Sequence, residues 1–330
     1  MLVAALAAIA VACRSSGSGT ARVVIPSGAP FRVAAESLAR VGLVPSARAF
    51  SVYASLRHYD RALRPGTYLL RRGDSWSNLA RAITSGRGLV NTITIPEGFA
   101  LSSIVPALAR TLSVPEDSVI AATRDTTLLR ELDIPTPTLE GYLFPDTYTF
   151  QDGTSPREAV TTMVRAFERR WKPEWDSALQ QLALSRHDVI TMASIVEKEA
   201  RRGEERPVIA AVYYNRLRTG MPLQADPTVQ YALGHHVARL LFRDLDVDSP
   251  YNTYRHKGLP PGPIASPGLP SIEAALFPAK VPYLYFVATS DGHHEFRTTF
   301  REHEAAISAI KRARRADSSA GRTAAPAGRR

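Results

Sequence analysis

The apolar positions of the first hundred residues fall in short bursts whose period alternates. Val23-Val24-Ile25 is a β-branched burst broken by Pro26-Ser27-Gly28, and it predicts a strand. Val33, Ala34, Leu38, Val41 and Leu43 then recur near 3.6 residues and predict a helix. Residues 49–59 predict a second helix and Gly66 to Leu70 a strand. Gly73-Asp74-Ser75 reads as a turn and N-cap ahead of a helix over 76–85. Part of this pattern recurs: Ile25-Pro26-Ser27-Gly28 returns as Ile95-Pro96-Glu97-Gly98, each time between a strand and a helix, the second helix over 101–112.

Beyond residue 127 the pattern changes. Residues 128–150 are rich in Pro, Thr and aromatics and predict a loop of definite shape. Helical periods follow over 156–171, 173–184, 186–200 and 207–218. From Gly220 the chain turns polar and irregular, then regains a helix over 271–276 and a strand over 283–288. The expected class is α+β, with the chemistry in the second half.

Composition adds three constraints. The net charge of the 330 residues is +10, and the end from Lys311 holds seven basic residues against Asp317 alone. That end lacks large apolar residues and predicts a disordered basic tail, either a solvated end or a contact for anionic lipid or wall polymer. No aromatic-and-basic motif accompanies it, so nucleic acid is not expected as a partner. The single cysteine, Cys13, excludes an intrachain disulfide. Met1 to Cys13 is an unbroken apolar run ahead of a Ser/Gly linker. It is shorter than the roughly 20 residues of a spanning helix. It reads as part of a transmembrane anchor, as a signal segment, or as a lipid-attachment site at Cys13, and all three export the chain.

The helix over 186–200 carries the strongest chemical signal. Glu197 shares a face with Ser194, Ala193 and Ile190, whereas Glu199 lies about 200° around the axis and is expected in solvent. A carboxyl against an apolar wall is held protonated towards neutral pH and can donate. The plainer alternative pairs Glu197 with Arg201 at i+4 on the surface. Downstream, proline-braced loops present Gln224, Asp226, Asn252 and Tyr254, the donors and platforms a sugar groove requires. Glu140 sits in the earlier loop, as a turn cap or a substrate ligand. His235-His236 and His293-His294 are adjacent pairs without ligand spacing, the latter expected in a solvent-exposed turn. No metal is implied, and with no Gly-rich phosphate loop no cofactor is either.

The strings ASIVEKEA, NRLRTGMPLQADPTVQYALG, SPYNTYRHKGLPPGPIASPG and AALFPAKVPYLYFVATSDGHHEFRTTFREH resemble endolytic murein transglycosylases of the MltG (YceG-like) family. TIPEGFALSSI and LEGYLFPDTYTF extend the resemblance upstream, in order, over roughly 23–308. It implies an N-terminal LysM-like small α/β module, or two, over 23–127, with a generic α+β spacer as the alternative, and a mixed α+β catalytic domain over 128–308. These follow an anchor over 1–13 and a linker over 14–22, and precede the tail over 309–330. It implies Glu197 as the catalytic residue, acid then base, cleaving the MurNAc–GlcNAc β-1,4 bond to leave 1,6-anhydroMurNAc ends. It implies peptidoglycan glycan strands and a peptidoglycan synthase as partners, and action outside the inner membrane through a single N-terminal span. Two rivals stand beside this reading: a non-catalytic glycan-binding scaffold, and a hydrolase using the same groove.

Overall fold

The computed structural model describes residues 19–235, 237 and 240–323, the last without the side chains of 314–323. The apolar run over 1–13 with Cys13, His236 and the final seven residues lie outside the described residues. Among those described, no helix is long and apolar enough to cross a membrane. The chain divides into two units, the first comprising residues 19–93, 108–114 and 147–159, the second 94–107, 115–146 and the chain from 160 onward. Neither unit is a single stretch of chain, whereas the sequence pattern draws one boundary, after residue 127.

The first unit is a four-stranded sheet with helices. β1 (Thr20–Ile25), β2 (Gly66–Arg71), β3 (Leu89–Thr94) and β4 (Thr147–Gln151) stand in sequence order. β1 pairs antiparallel with β2, Thr20 opposite Arg71 and Ile25 opposite Gly66, and β2 pairs antiparallel with β3. Alternation along β1 buries Ala21, Val23 and Ile25 and exposes Thr20, Arg22 and Val24, the pattern of a sheet with one covered face. α1 (Phe31–Arg40), α2 (Ala47–Leu56) and α3 (Trp76–Ser85) supply the cover, with Leu38, Phe50, Leu79 and Ile83 fully buried against the strands. Each such side chain contributes about 1.5–3 kcal/mol. Ser46 and Ser75 cap α2 and α3 by accepting from Ala49 N–H and Asn78 N–H. Residues 19–93 hold eleven arginines against three acids, and residues 94–310 hold 27 acids against 22 bases. The mild average charge of the body conceals a basic first part and an acidic remainder.

The second unit is mainly helical. It contains most of α4 (Leu101–Leu112), then α5 (Glu116–Thr123), α6 (Thr126–Glu131), most of α7 (Pro156–Glu168), and α8 (Pro173–Leu182). α9 (Arg186–Glu199) is its central helix: every residue from Val189 to Val196 is buried. It packs on α10 (Arg206–Arg218), α11 (Asp226–Leu233) and α12 (Leu269–Leu276). β5 (Tyr285–Ala288) and β6 (His294–Arg297) form an antiparallel hairpin, Tyr285 opposite Arg297, against which α13 (Phe300–Thr323) packs. The whole is mixed α+β, as the pattern implied.

Two elements depart from the sequence reading. α11 falls in a stretch read as loop. Pro227 occupies its first turn, where its missing N–H costs nothing, and Gly234 closes it in the left-handed region. The chain from residue 309, expected to be a disordered tail, continues α13 through Thr323. Its alanines, arginines and lysine are strong helix formers, and the segment extends a helix already nucleated on the hairpin.

Candidate functional site

α9 is held in register from its start. Ser185 Oγ accepts from Asp188 N–H at 3.1 Å and Asp188 Oδ2 accepts from Ser185 N–H at 2.9 Å, a reciprocal capping box. The buried run then leaves Glu197 and Glu199 in the last turn, on opposite sides of the helix.

Glu197 meets hydrogen-bond donors. Its Oε2 accepts from Gly268 N–H at 3.1 Å and from Ser271 Oγ at 2.7 Å, and its Oε1 lies 3.5 Å from Arg206 Nη2. Arg206 Nε in turn donates to Ser271 Oγ at 2.9 Å. Gly268 is the N-cap of α12 and has no side chain to satisfy the free amides there, so Glu197 supplies that carboxylate. Glu97 lies against Gly268 as well; burial and then the charge of Glu197 push its pKa up, against Arg206. The Glu197 side chain is only 7% exposed. It is buried, as expected, but against polar donors, and the cavities of about 300 and 780 Å³ in this unit are lined by other residues.

Glu199, expected in solvent, is half-buried and lines a cavity of about 300 Å³. It accepts from Tyr213 Oη at 2.9 Å. Burial pushes its pKa up to about 7, opposed by the Tyr213 bond and Arg216 and reinforced by Asp226. A group titrating there exchanges protons at neutral pH.

Three of the sequence candidates converge on this cavity: Gln224, Asp226 and Tyr254. Gln224 sits in the left-handed region at φ 51° with its amide donating to Thr253 O, a conformation that costs a non-glycine residue energy and recurs at functional sites. Tyr254 Oη donates to Asp226 Oδ1 at 2.6 Å. Asn252 is not in the cavity. Fully buried, it donates to Leu245 O and Val247 O at 2.8 and 2.9 Å and accepts from Tyr254 N–H at 3.0 Å, fastening the loop that carries Tyr254.

Glu140 belongs elsewhere. It lines a larger cleft of about 780 Å³ with Leu101, Lys198 and Tyr231 among its walls. Both carboxyl oxygens lie 3.1 Å from Leu101 N–H at the start of α4, and burial pushes its pKa up to about 7 against that bond and one from Tyr231. The larger cleft therefore holds a carboxyl committed to a helix terminus. The smaller one gathers the convergent polar set.

The sequence reading missed Glu199, Tyr213, Arg216 and His294. Arg216 is buried, its Nε and Nη1 donating to Leu284 O and Leu223 O at 2.7 and 2.6 Å, and desolvation lowers its pKa. Its guanidinium stands 5.3 Å from the Tyr285 ring centre. His294, expected in a solvent-exposed turn, has a side chain only 5% exposed; it stands opposite Ala288 in the hairpin, edge-on to the Phe286 ring. β6 has only four residues, all of intermediate burial, so no alternating pattern marks it in the sequence.

Residues 23–309 match the sequence profile of the YceG-like family. The chain is similar to the endolytic murein transglycosylase of Bacillus subtilis (strain 168), 38% identical over 303 residues, covering 87% of this chain and 84% of that protein. It is 32% identical over 314 residues to the endolytic murein transglycosylase of Streptococcus pneumoniae serotype 2, covering 86% of this chain and 57% of that protein. Among solved structures, a yceG-like protein of Listeria monocytogenes shares 34% identity with a TM-score of 0.63, over 87% of this chain and 98% of that one.

Proposed function

The chain belongs to the YceG-like family, and from that premise we propose that it is an endolytic murein transglycosylase whose proton donor is Glu199. One observation carries the assignment of the donor. Glu199 is a carboxyl titrating near 7 in a small cavity lined by Tyr213, Arg216, Gln224, Asp226 and Tyr254. Family strings place two acids within the same helical turn, and the expected choice was Glu197. Glu197 accepts from Gly268 N–H and Ser271 Oγ and so caps the start of α12, which suits a structural role.

The reaction cleaves the MurNAc–GlcNAc β-1,4 bond inside a glycan strand. Protonated Glu199 donates to the glycosidic oxygen as the C1–O4 bond opens. The C6 hydroxyl of MurNAc attacks C1, and a 1,6-anhydroMurNAc end forms without water. Positive charge developing at the sugar ring is met by Asp226, oriented by Tyr254, while Gln224 is placed to hold a ring hydroxyl.

The substrate sets the compartment: the enzyme acts outside the cytoplasm and trims nascent strands. We place the N-terminal apolar run as its membrane tether and a peptidoglycan synthase as its working partner, as the family resemblance implies. The order β1, α1, α2, β2 supports reading the first unit as a LysM-like glycan-binding module.

The test is digestion of purified peptidoglycan by wild type, Glu199→Gln and Glu197→Gln, with mass spectrometry of the ends. Anhydro products from wild type and Glu197→Gln but not from Glu199→Gln are expected. Reducing ends would identify a hydrolase. Absence of product from wild type would leave a binding scaffold, and full activity in Glu199→Gln would return the donor to Glu197.

A further inference from the structure

The proposed acid step leaves the proton of the attacking hydroxyl without a destination other than Glu199 itself. A second titratable group lines the same cavity. His294, at the start of β6, lines it beside Glu199 and Tyr254. Its Nδ1 lies 2.6 Å from Glu205 Oε2, and its backbone N–H donates to Glu205 Oε1 at 2.8 Å. Glu205 ends the 3₁₀ turn Gly203–Glu205 between α9 and α10 and is itself 7% exposed. Desolvation would raise its pKa, but the bonds from the His294 amide and imidazole hold it below the ordinary value, so it is an anion. An anion facing Nδ1 requires a proton on that nitrogen, so in the neutral ring Nε2 carries the lone pair. The edge-on Phe286 ring, centroids 5.2 Å apart, restrains the plane.

We propose that His294, oriented by Glu205, is the base of the reaction: Nε2 binds the C6 hydroxyl of MurNAc and takes its proton as O6 attacks C1. The inference rests on the reading of Glu199 as the acid. The step balances. Glu199 gives a proton to the departing O4, the C1–O4 bond breaks and the C1–O6 bond forms. The O6 proton passes to Nε2, and the imidazolium is stabilised by Glu205 as an imidazole is by the carboxylate of a hydrolytic triad. Return of that proton from imidazolium to the Glu199 carboxylate restores both groups with no water consumed. Two groups let both transfers accompany the same bond change, where one carboxyl must perform them in turn.

The other groups facing His294 set its charge. Across the cavity stand Glu199, Asp226 and Arg216, with Tyr213, Tyr254 and His303 completing the titratable ring. Behind the imidazole, Glu205 also meets His293 Nδ1 at 3.3 Å. Among the described residues, Glu205 is the anion that hydrogen-bonds the His294 ring, so its removal acts directly on His294.

The test measures initial rates of anhydro-end formation from pH 4.5 to 8.5 for wild type, His294→Gln, Glu205→Gln and Glu199→Gln. Glutamine at 294 can still hydrogen-bond a hydroxyl but cannot accept its proton, and a loss of about 10²–10⁴-fold is expected. Glu205→Gln removes the anion that holds the proton on Nδ1, so kcat should fall about tenfold or more while KM changes little. A His294→Gln rate within about threefold of wild type, or an unchanged kcat in Glu205→Gln, would overturn the inference. If His294→Gln does not fold, the Glu205→Gln kcat decides. Inactive Glu199→Gln beside fully active His294→Gln sinks the base assignment alone. Active Glu199→Gln sinks the acid assignment on which it rests.

Discussion

Replacing Glu199 by Gln should abolish activity and at the same time stabilise the protein at alkaline pH. In the folded chain this carboxyl titrates at about 7, against an ordinary 4.5, chiefly because burial disfavours its charge. The folded pKa is the higher one, so the folded state binds the proton more tightly. Its contribution to stability is fully present below pH 4.5 and is lost as the pH rises through 7. At about 1.36 kcal/mol per unit, the ionised group costs the native protein about 3 kcal/mol at pH 8. The amide has no charge to desolvate, and its oxygen still accepts from Tyr213. Allowing about 0.5–1 kcal/mol for the weaker neutral bond, the variant should exceed wild type by about 2 kcal/mol at pH 8 and equal or trail it at pH 4.5. Urea titrations at pH 4.5, 6, 7 and 8 measure the difference. Glu140 titrates over the same range but is present in both proteins and cancels. A difference that does not grow with pH, or a variant less stable at pH 8, refutes the reasoning.

The remaining predictions concern the frame of the site. Glu197→Ala removes two charge-assisted bonds and leaves Arg206 without its carboxylate; a loss of about 2–4 kcal/mol in urea denaturation is expected, with kcat per folded molecule within about threefold of wild type. Gly141→Ala should destabilise by more than about 2 kcal/mol, because φ is +80° there and the new methyl would overlap the Pro263 ring; a melting temperature within a degree or two of wild type would contradict this. Asn252→Ala leaves two buried carbonyls without their donor. It should cost about 2–3 kcal/mol and, by loosening Tyr254, lower kcat more than it raises KM.

Much of the fold was legible along the chain. Helices α3 and α4 lie where the periodicity placed them, and α9 begins at residue 186 as its period predicts, because turns and apolar periods are local properties read over a few residues. Of the four residues singled out in the polar, proline-braced segments, Gln224, Asp226 and Tyr254 line one cavity and Asn252 does not. α11 escaped because its eight residues are mostly polar or small. The helical part of the chain's end escaped because composition alone does not register the hairpin that supports it.

The two glutamates at the end of α9 mark where local reading stops. Helix geometry by itself determined that Glu197 and Glu199 point to opposite sides, and that one of them follows the face of Ser194 and Ile190. Only the tertiary structure decided what each side meets. The bare amide of Gly268, 71 residues downstream at the start of α12, and the Ser271 hydroxyl beside it fold back to claim Glu197. The walls around Glu199 come from α10, the segment at 223–226, Tyr254 and β6. A carboxyl's pKa depends on the donors, charges and water within a few ångströms, and periodicity carries a direction but no information about the segments that fold back to fill it.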